Sequence, residues 1–113
     1  PITFQSGTDE LDEAGKDELK KAAKNLNHYP NFRVVAKGHT SLGGDDEANF
    51  KLSESRAKAV VNYLIKELSV SPNRIRSKGF GSSQPLPKES GESDREYKYR
   101  LPRVELYLMK EVF

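Results

Sequence analysis

The feature that most constrains this chain is an apolar stripe at helical spacing between residues 48 and 68. Its members are Leu52, Ala57, Val60, Val61, Leu64, Ile65 and Leu68. Apolar residues that recur every three or four positions predict an amphipathic helix. Such a helix buries its stripe against a second layer, and segments with β-type patterns precede and follow it in the sequence. The sequence therefore predicts a fold in which helices pack on a sheet.

A second helix and four strands complete the predicted order. The apolar spacing over residues 12–27 indicates another amphipathic helix, which ends before Pro30. The strand patterns cover residues 2–4, 32–37, 75–80 and 104–109. A strand–helix–strand crossover makes its two strands parallel and lays the helix on one face of the sheet. We therefore expect an α+β fold of order β-α-β-α-β-β, a two-layer sandwich with two helices on one face of a mixed four-stranded sheet.

Two segments are predicted to be loops. Residues 38–46 are polar and rich in glycine, and they leave the end of the second strand. Residues 81–94 contain Pro85, Pro87 and Gly91 among several serines. Long loops in compact domains tend to be functional or mobile, so the second segment is a candidate for either.

The length and composition narrow the class of protein. The chain has 113 residues, which predicts a single domain over residues 1–113. It has no cysteine, which excludes disulfides and thiolate zinc sites. No apolar stretch approaches the roughly 20 residues of a membrane-spanning helix. The chain begins with Pro1 rather than methionine, so we expect it to be a piece of a longer protein.

The charge balance argues against binding to polyanions. Lys and Arg number 19 and Asp and Glu number 17, a formal net charge of +2. This balance gives no reason to expect bulk binding to nucleic acid or to anionic lipid. Residues 74–110 are more basic and contain Tyr97, Tyr99 and Tyr107, a combination that can bind single-stranded nucleic acid. Acidic residues are mixed into the same segment, so a solvated surface is the better interpretation, and we expect no nucleic-acid partner.

Residue types suited to catalysis or metal binding are sparse. The chain has two histidines, His28 and His39, and only the second has carboxylates nearby, at Asp45 and Asp46. Two histidines without cysteine fall short of a recognisable ligand set. Ser41 lies two residues after His39 but outside any nucleophile motif. We therefore expect no enzyme activity, no metal and no cofactor.

The most informative set of polar residues lies where the second strand meets the second helix. Asn49, Ser53 and Arg56 are spaced four and three residues apart, which places them on one side of a helix. Thr40 and Ser41, in the loop after the strand, enter the same region. A guanidinium among hydroxyl and amide groups suits a small ligand that carries a carboxylate.

The same residues also have a purely structural interpretation. In it, Asn49 or Ser53 caps the helix and Arg56 pairs with Asp45 or Glu47. The spacing alone does not choose between a ligand site and a capped, ion-paired helix.

A larger pattern extends over nearly the whole chain, from Ile2 to Leu108. It consists of Gly38-His39-Thr40, Gly44, Asn49, Leu52-Ser53, Arg56-Ala57, Val60, Tyr63-Leu64, Ile75, Gly79, Gly81, Pro85 and Arg103-Val104-Glu105. With these residues the chain resembles the OmpA-like (OmpA/MotB, Pal) C-terminal domain of bacterial envelope proteins. The resemblance implies a β-α-β-α-β-β fold, the same order that the local patterns predict.

The resemblance also implies a binding function without catalysis. It implies non-covalent binding of cell-wall peptidoglycan, in the periplasm, by a domain that anchors an outer-membrane or cell-envelope protein. The ligand would be the diaminopimelate of the stem peptide, and Arg56 would meet its carboxylate. Around it would lie Thr40, Ser41, Asn49, Leu52 and Ser53, while Arg103 matches the second arginine of the family's Asn-Arg-Arg-Val-Glu motif. Contact with a membrane is expected only through parts of the longer protein that lie outside this chain.

The sequence departs from the family pattern at two places. Ser41 stands where the family has the aspartate that meets the ligand's amine, and Leu101-Pro102 stand where it has Asn-Arg. Loss of one charge-assisted hydrogen bond would lower affinity by roughly 10- to 100-fold, unless Asp45 or Asp46 replaces the carboxylate. The alternative is a degenerate OmpA-like domain that acts as a protein-interaction or structural module, with other envelope proteins as partners.

Overall fold

The computed structural model describes residues 2–5, 8–29 and 32–109. The elements in chain order are α1 (Glu13–His28), β1 (Arg33–His39), α2 (Asp46–Lys66), a short 3-10 helix (Pro72–Arg74), β2 (Ile75–Gly79), α3 (Asp94–Arg100) and β3 (Arg103–Met109). An aspartate begins each long helix, because the Asp12 and Asp45 side chains accept hydrogen bonds from the first-turn amides of Gly15 and Ala48. Within the described ranges, the structure contains no helix long and apolar enough to cross a membrane.

The three strands form one mixed sheet in the order β2-β1-β3. The central strand β1 runs parallel to β2 and antiparallel to β3. The crossover from β1 to β2 passes through α2, as the sequence predicted. The structure therefore confirms an α+β fold with a mixed sheet.

The predicted strand at residues 2–4 is not confirmed. Ile2 forms a single antiparallel bridge with Val104, with N···O distances of 2.9 and 3.1 Å between the two backbones. The backbone carbonyl of Thr3 then accepts a hydrogen bond from the amide of Asp12 at 3.4 Å. The segment therefore pairs with the residues before α1 and does not continue alongside β3. Within the described residues the sheet has three strands, and the prediction of four is not supported.

The segment before β3 also differs from the prediction. The helix α3 lies at Asp94–Arg100, where no helical pattern was predicted. It begins with a capping box, in which Ser93 and Glu96 each accept a hydrogen bond from the other's backbone amide. None of its residues is buried, so it has no apolar stripe that periodicity could detect.

The core lies between the sheet and the two long helices. Leu19 and Leu26 of α1 and Val60 and Leu64 of α2 are at most 1% exposed, and they belong to one cluster with the inner face of β1. On β1 that face carries Val34, Ala36 and Gly38, which alternate with residues on the other side of the sheet. Helix α2 is thereby fixed against β1, and its first half lies beside the loop that leaves the strand.

Candidate functional site

A cavity of about 770 Å³ lies where the N-terminal segment, the start of the loop after β1, α2 and α3 meet. The lining residues are Thr3, Phe4, Gln5, Asp12, Ser41, Arg56, Asp94, Arg95, Lys98, Tyr99 and Pro102. Two of the residues predicted for the site, Ser41 and Arg56, therefore meet in one cavity. Pro102 lines it as well.

Arg56 is buried at the wall of this cavity. It is 4% exposed, its Nε donates to the Thr8 carbonyl at 2.9 Å, and its guanidinium lies 5.5 Å from the centre of the Phe4 ring. Within the described ranges its two terminal nitrogens donate no hydrogen bond to the protein. Buried polar groups normally have partners, and a carboxylate that enters the cavity would be a suitable acceptor for a guanidinium.

The charge on Arg56 is compensated only in part. Burial lowers the pKa of Arg56 from its ordinary value, and the nearby Asp9 carboxylate opposes that shift. Guanidinium remains protonated in proteins, so the cavity holds a fixed, weakly solvated positive charge. A ligand carboxylate would complete its neutralisation.

The rest of the lining carries both signs of charge. Helix α3 contributes Asp94, Arg95 and Lys98, and Asp12 is the second carboxylate of the lining. Asp12 uses Oδ1 for both of its contacts, accepting from Gly15 N at 2.7 Å and from the Thr3 hydroxyl at 2.9 Å. Asp94 accepts from Lys88, which lowers the pKa of its carboxyl. A cavity with three cations and two carboxylates suits a zwitterion with an excess of negative charge.

The other residues predicted for the second helix hold the loops in place. Asn49 donates to the Gly43 carbonyl at 2.8 Å, and this contact fixes the glycine-rich loop. Ser53 is fully buried, donates to the Phe50 carbonyl at 2.7 Å and accepts from Gly81 N at 2.8 Å. Leu52 is half-buried and lies outside the cavity lining. These residues support the site without facing it.

Thr40 and Arg103 also lie outside the lining. Thr40 is 4% exposed, and its amide donates to the Gly81 carbonyl at 2.9 Å. Arg103 is 3% exposed and donates to Glu105 at 2.7 Å, to the Leu101 carbonyl at 2.7 Å and to the Gln84 carbonyl at 3.2 Å. Its guanidinium therefore ties the loop after β2 to β3.

The structural interpretation of the helix start is wrong in its details. Asp45, not Asn49 or Ser53, caps α2, accepting from Ala48 N at 2.8 Å. In the described structure Glu47 pairs with Lys51 at 3.3 Å, and Arg56 forms no ion pair with either Asp45 or Glu47. Asp45 and Asp46 are both exposed and outside the cavity lining, so neither replaces a pocket carboxylate here.

Sequence reasoning missed the contribution of α3 and of the N-terminal segment. Arg95, Lys98 and Tyr99 line the cavity, and Tyr99 is 88% exposed. One signal was present, because Ser93 and Glu96 have the spacing of a capping box. Nothing local indicated that residues 3–5 face Arg56.

His39 lies behind the site with its ring buried. It is 2% exposed, stacks on Phe80 at 5.5 Å between ring centres, and neither ring nitrogen has a hydrogen-bond partner in the described structure. Burial lowers the pKa of His39, Arg103 and Lys37 lower it further, and Glu105 opposes them. The folded protein therefore keeps this imidazole neutral at a pH where the unfolded chain binds a proton.

We expect this histidine to make the protein less stable in mild acid. Because the unfolded state binds the extra proton, the free energy of unfolding falls as pH decreases below the unfolded pKa of about 6.5. For one proton, the free energy of unfolding changes by at most about 1.4 kcal/mol per pH unit. Urea unfolding at pH 7.5, 6.5 and 5.5 measures it, and His39→Gln should flatten the profile. Equal slopes in the two proteins would contradict the role given to His39.

The fold is an α+β domain in which two long helices pack on a mixed sheet, and a buried arginine lies at the wall of a cavity lined by both signs of charge. The OmpA family model matches residues 3–99, and the chain belongs to that family. Outer membrane porin F of Pseudomonas aeruginosa is 33% identical over 85 residues, which are 75% of this chain and 24% of that protein. The peptidoglycan-binding protein ArfA of Mycobacterium tuberculosis is 34% identical over 86 residues, 76% of this chain and 26% of that protein.

Solved structures show the same fold. The C-terminal domain of Helicobacter pylori MotB superposes with a TM-score of 0.83 at 23% identity, covering 98% of this chain and 84% of that chain. The present chain spans about a quarter of the length of the two curated relatives named above.

Proposed function

We propose that this domain binds peptidoglycan non-covalently and anchors an envelope protein in the periplasm. The observation that carries the proposal is Arg56, a buried guanidinium at the wall of a cavity of about 770 Å³, whose terminal nitrogens donate no hydrogen bond to the part of the chain that the structure describes. A relative named as a peptidoglycan-binding protein and another named as an outer membrane porin support the same assignment. Residues 1–113 would form one OmpA-like domain of a longer protein.

The finer proposal concerns the ligand. A diamino acid of the stem peptide would place a carboxylate on Arg56, and its ammonium would face Asp12 and Asp94, the carboxylates of the lining. Arg95 and Lys98 would meet further carboxylates of the peptide. Binding of this kind needs no covalent step, so we propose a non-catalytic domain without metal or cofactor.

Ser41 is the position at which this pocket departs from the family pattern. A serine hydroxyl can hydrogen-bond an ammonium, but it lacks the charge of the aspartate that the resemblance places there. Since Ser41 lines the cavity together with Arg56, a carboxylate at this position would lie close to a bound ammonium. The natural domain should therefore bind more weakly than a variant in which the charge is restored.

We expect Ser41→Asp to raise the affinity for a diaminopimelate-containing muropeptide by about tenfold or more, because a charge-assisted hydrogen bond contributes about 1.5–3 kcal/mol. Isothermal titration of the purified chain with the muropeptide measures both affinities. Ser90→Asp is the matched control, since it adds the same charge at an exposed position outside the cavity. Absence of saturable binding in both the natural chain and Ser41→Asp would overturn the proposed function and favour a protein-interaction module.

A further inference from the structure

The face of the sheet opposite the helices, called here the open face, concentrates positive charge. Its solvent-accessible strand residues are Arg33, Val35, Lys37, Arg76, Lys78, Glu105, Tyr107 and Met109, which alternate along the strands with the inward-facing positions. His39 and Arg103 share this face but are buried. Four of the eight are cations and one is an acid. The overall balance of 19 basic and 17 acidic residues hides this separation.

The register brings the two lysines side by side. Lys37 on β1 pairs with Lys78 on β2, so their backbones lie about 4.8 Å apart. Like charges directly opposite each other destabilise a sheet. Within the described ranges neither lysine has an acidic partner, and their ammonium groups lie over aromatic rings. Lys37 Nζ is 4.2 Å from the Tyr107 ring centre, and Lys78 Nζ is 5.2 Å from that of Phe80.

The acid on the open face does not neutralise these lysines. Glu105 accepts from Arg103 Nε at 2.7 Å and from the Tyr107 hydroxyl at 2.6 Å. Although burial opposes the shift, these two hydrogen bonds hold the pKa of Glu105 below its ordinary value. The carboxylate is thus already engaged, and no acid among the residues that the structure describes forms an ion pair with Lys37, Lys78 or Arg33.

Apolar side chains adjoin the cations at the end of β3. Tyr107, Leu108 and Met109 are 44%, 55% and 40% exposed, and Met109 lies opposite Arg33 in the register. A basic surface bordered by tyrosine and aliphatic side chains has the composition of a membrane-interface site. A linear polyanion would match the cations but would leave these apolar groups exposed.

We propose that the open face docks onto a membrane surface that contains anionic phospholipid. Lys37, Lys78 and Arg33 would face the headgroup phosphates, with Tyr107 and Met109 at the boundary between headgroups and acyl chains. The cavity at Arg56 lies elsewhere on the molecule and shares no residue with the open face. One domain could therefore bind peptidoglycan and a membrane at the same time.

Vesicle co-sedimentation tests this proposal. The chain should bind vesicles that contain 30% phosphatidylglycerol, bind poorly to pure phosphatidylcholine, and be released when salt shortens the range of electrostatic attraction. Lys37→Gln/Lys78→Gln should lower the partition coefficient by about 30-fold, roughly fivefold for each charge. Lys20→Gln/Lys24→Gln is the matched control, because it removes the same charge from exposed positions on α1. It should change the partition coefficient less than twofold.

Further variants separate lipid from other anionic partners. Met109→Ser should weaken vesicle binding severalfold and leave binding to a single-stranded oligonucleotide unchanged. No binding to anionic vesicles, equal losses in the two double-lysine variants, or face-dependent binding of the oligonucleotide alone would each overturn the proposal. Muropeptide binding by Lys37→Gln/Lys78→Gln should stay intact, which separates this proposal from the function of the Arg56 cavity.

Discussion

Replacing Arg56 with alanine should abolish measurable muropeptide binding, a loss of at least about 100-fold. The guanidinium can donate two parallel hydrogen bonds to one carboxylate, and each charge-assisted bond contributes about 1.5–3 kcal/mol. Removing it also leaves Arg95 and Lys98, both on exposed positions of α3, as the cations of the lining. Isothermal titration, together with co-sedimentation of the chain with purified sacculi, measures the loss.

Two control variants make that result specific. Arg95→Ala removes a cation from the rim of the same cavity, where solvent screens its charge, and should cost less than about fivefold. Arg56→Lys keeps the positive charge and loses the planar pair of donors, so its affinity should fall between those of the natural chain and Arg56→Ala. Circular dichroism establishes that each variant is folded. Unchanged affinity in folded Arg56→Ala would remove Arg56 from the site.

The long elements could be predicted because their signals are local. The stripe over residues 48–68 identified α2, and the structure shifts it to Asp46–Lys66. Two causes account for the shift: Asp45 caps the helix, and the left-handed Ser69, with φ of 58°, follows its end. Strand β1 was predicted two residues short, because Gly38 and His39 resemble the start of a loop. Periodicity thus gives the type of an element more reliably than its ends.

The candidate site was predictable only in part, since half of its wall comes from distant residues. Spacing placed Asn49, Ser53 and Arg56 on one side of a helix, but the structure directs them to three different partners. The contact that orients Arg56 is with Thr8, 48 positions earlier in the chain. No local pattern encodes such a contact, and α3 lacks the buried stripe that would have revealed its place in the wall.

Replacing Gly38 with alanine should lower the free energy of unfolding by about 3 kcal/mol or more. The added methyl group would clash with backbone atoms, which cannot move aside as a flexible side chain can. A Cβ on Gly38 would lie 2.1 Å from the Ser53 carbonyl oxygen and 2.9 Å from its carbonyl carbon. Those atoms belong to the backbone of α2, so the helix must move away from β1 as a unit. Urea unfolding monitored by circular dichroism measures the change.

Gly91→Ala provides the matched control for this glycine. Gly91 has φ of 79°, and a Cβ at this position would have no atom within 4 Å. Alanine there would be strained in its backbone but would not clash, so the free energy of unfolding should fall by about 1 kcal/mol. Arg56 lies one turn beyond Ser53 on α2, so folded Gly38→Ala should also bind muropeptide more weakly, whereas Gly91→Ala should bind normally. Equal stability losses in the two variants would show that α2 can leave β1 at little cost. The close packing at Gly38 would then not be what positions Arg56.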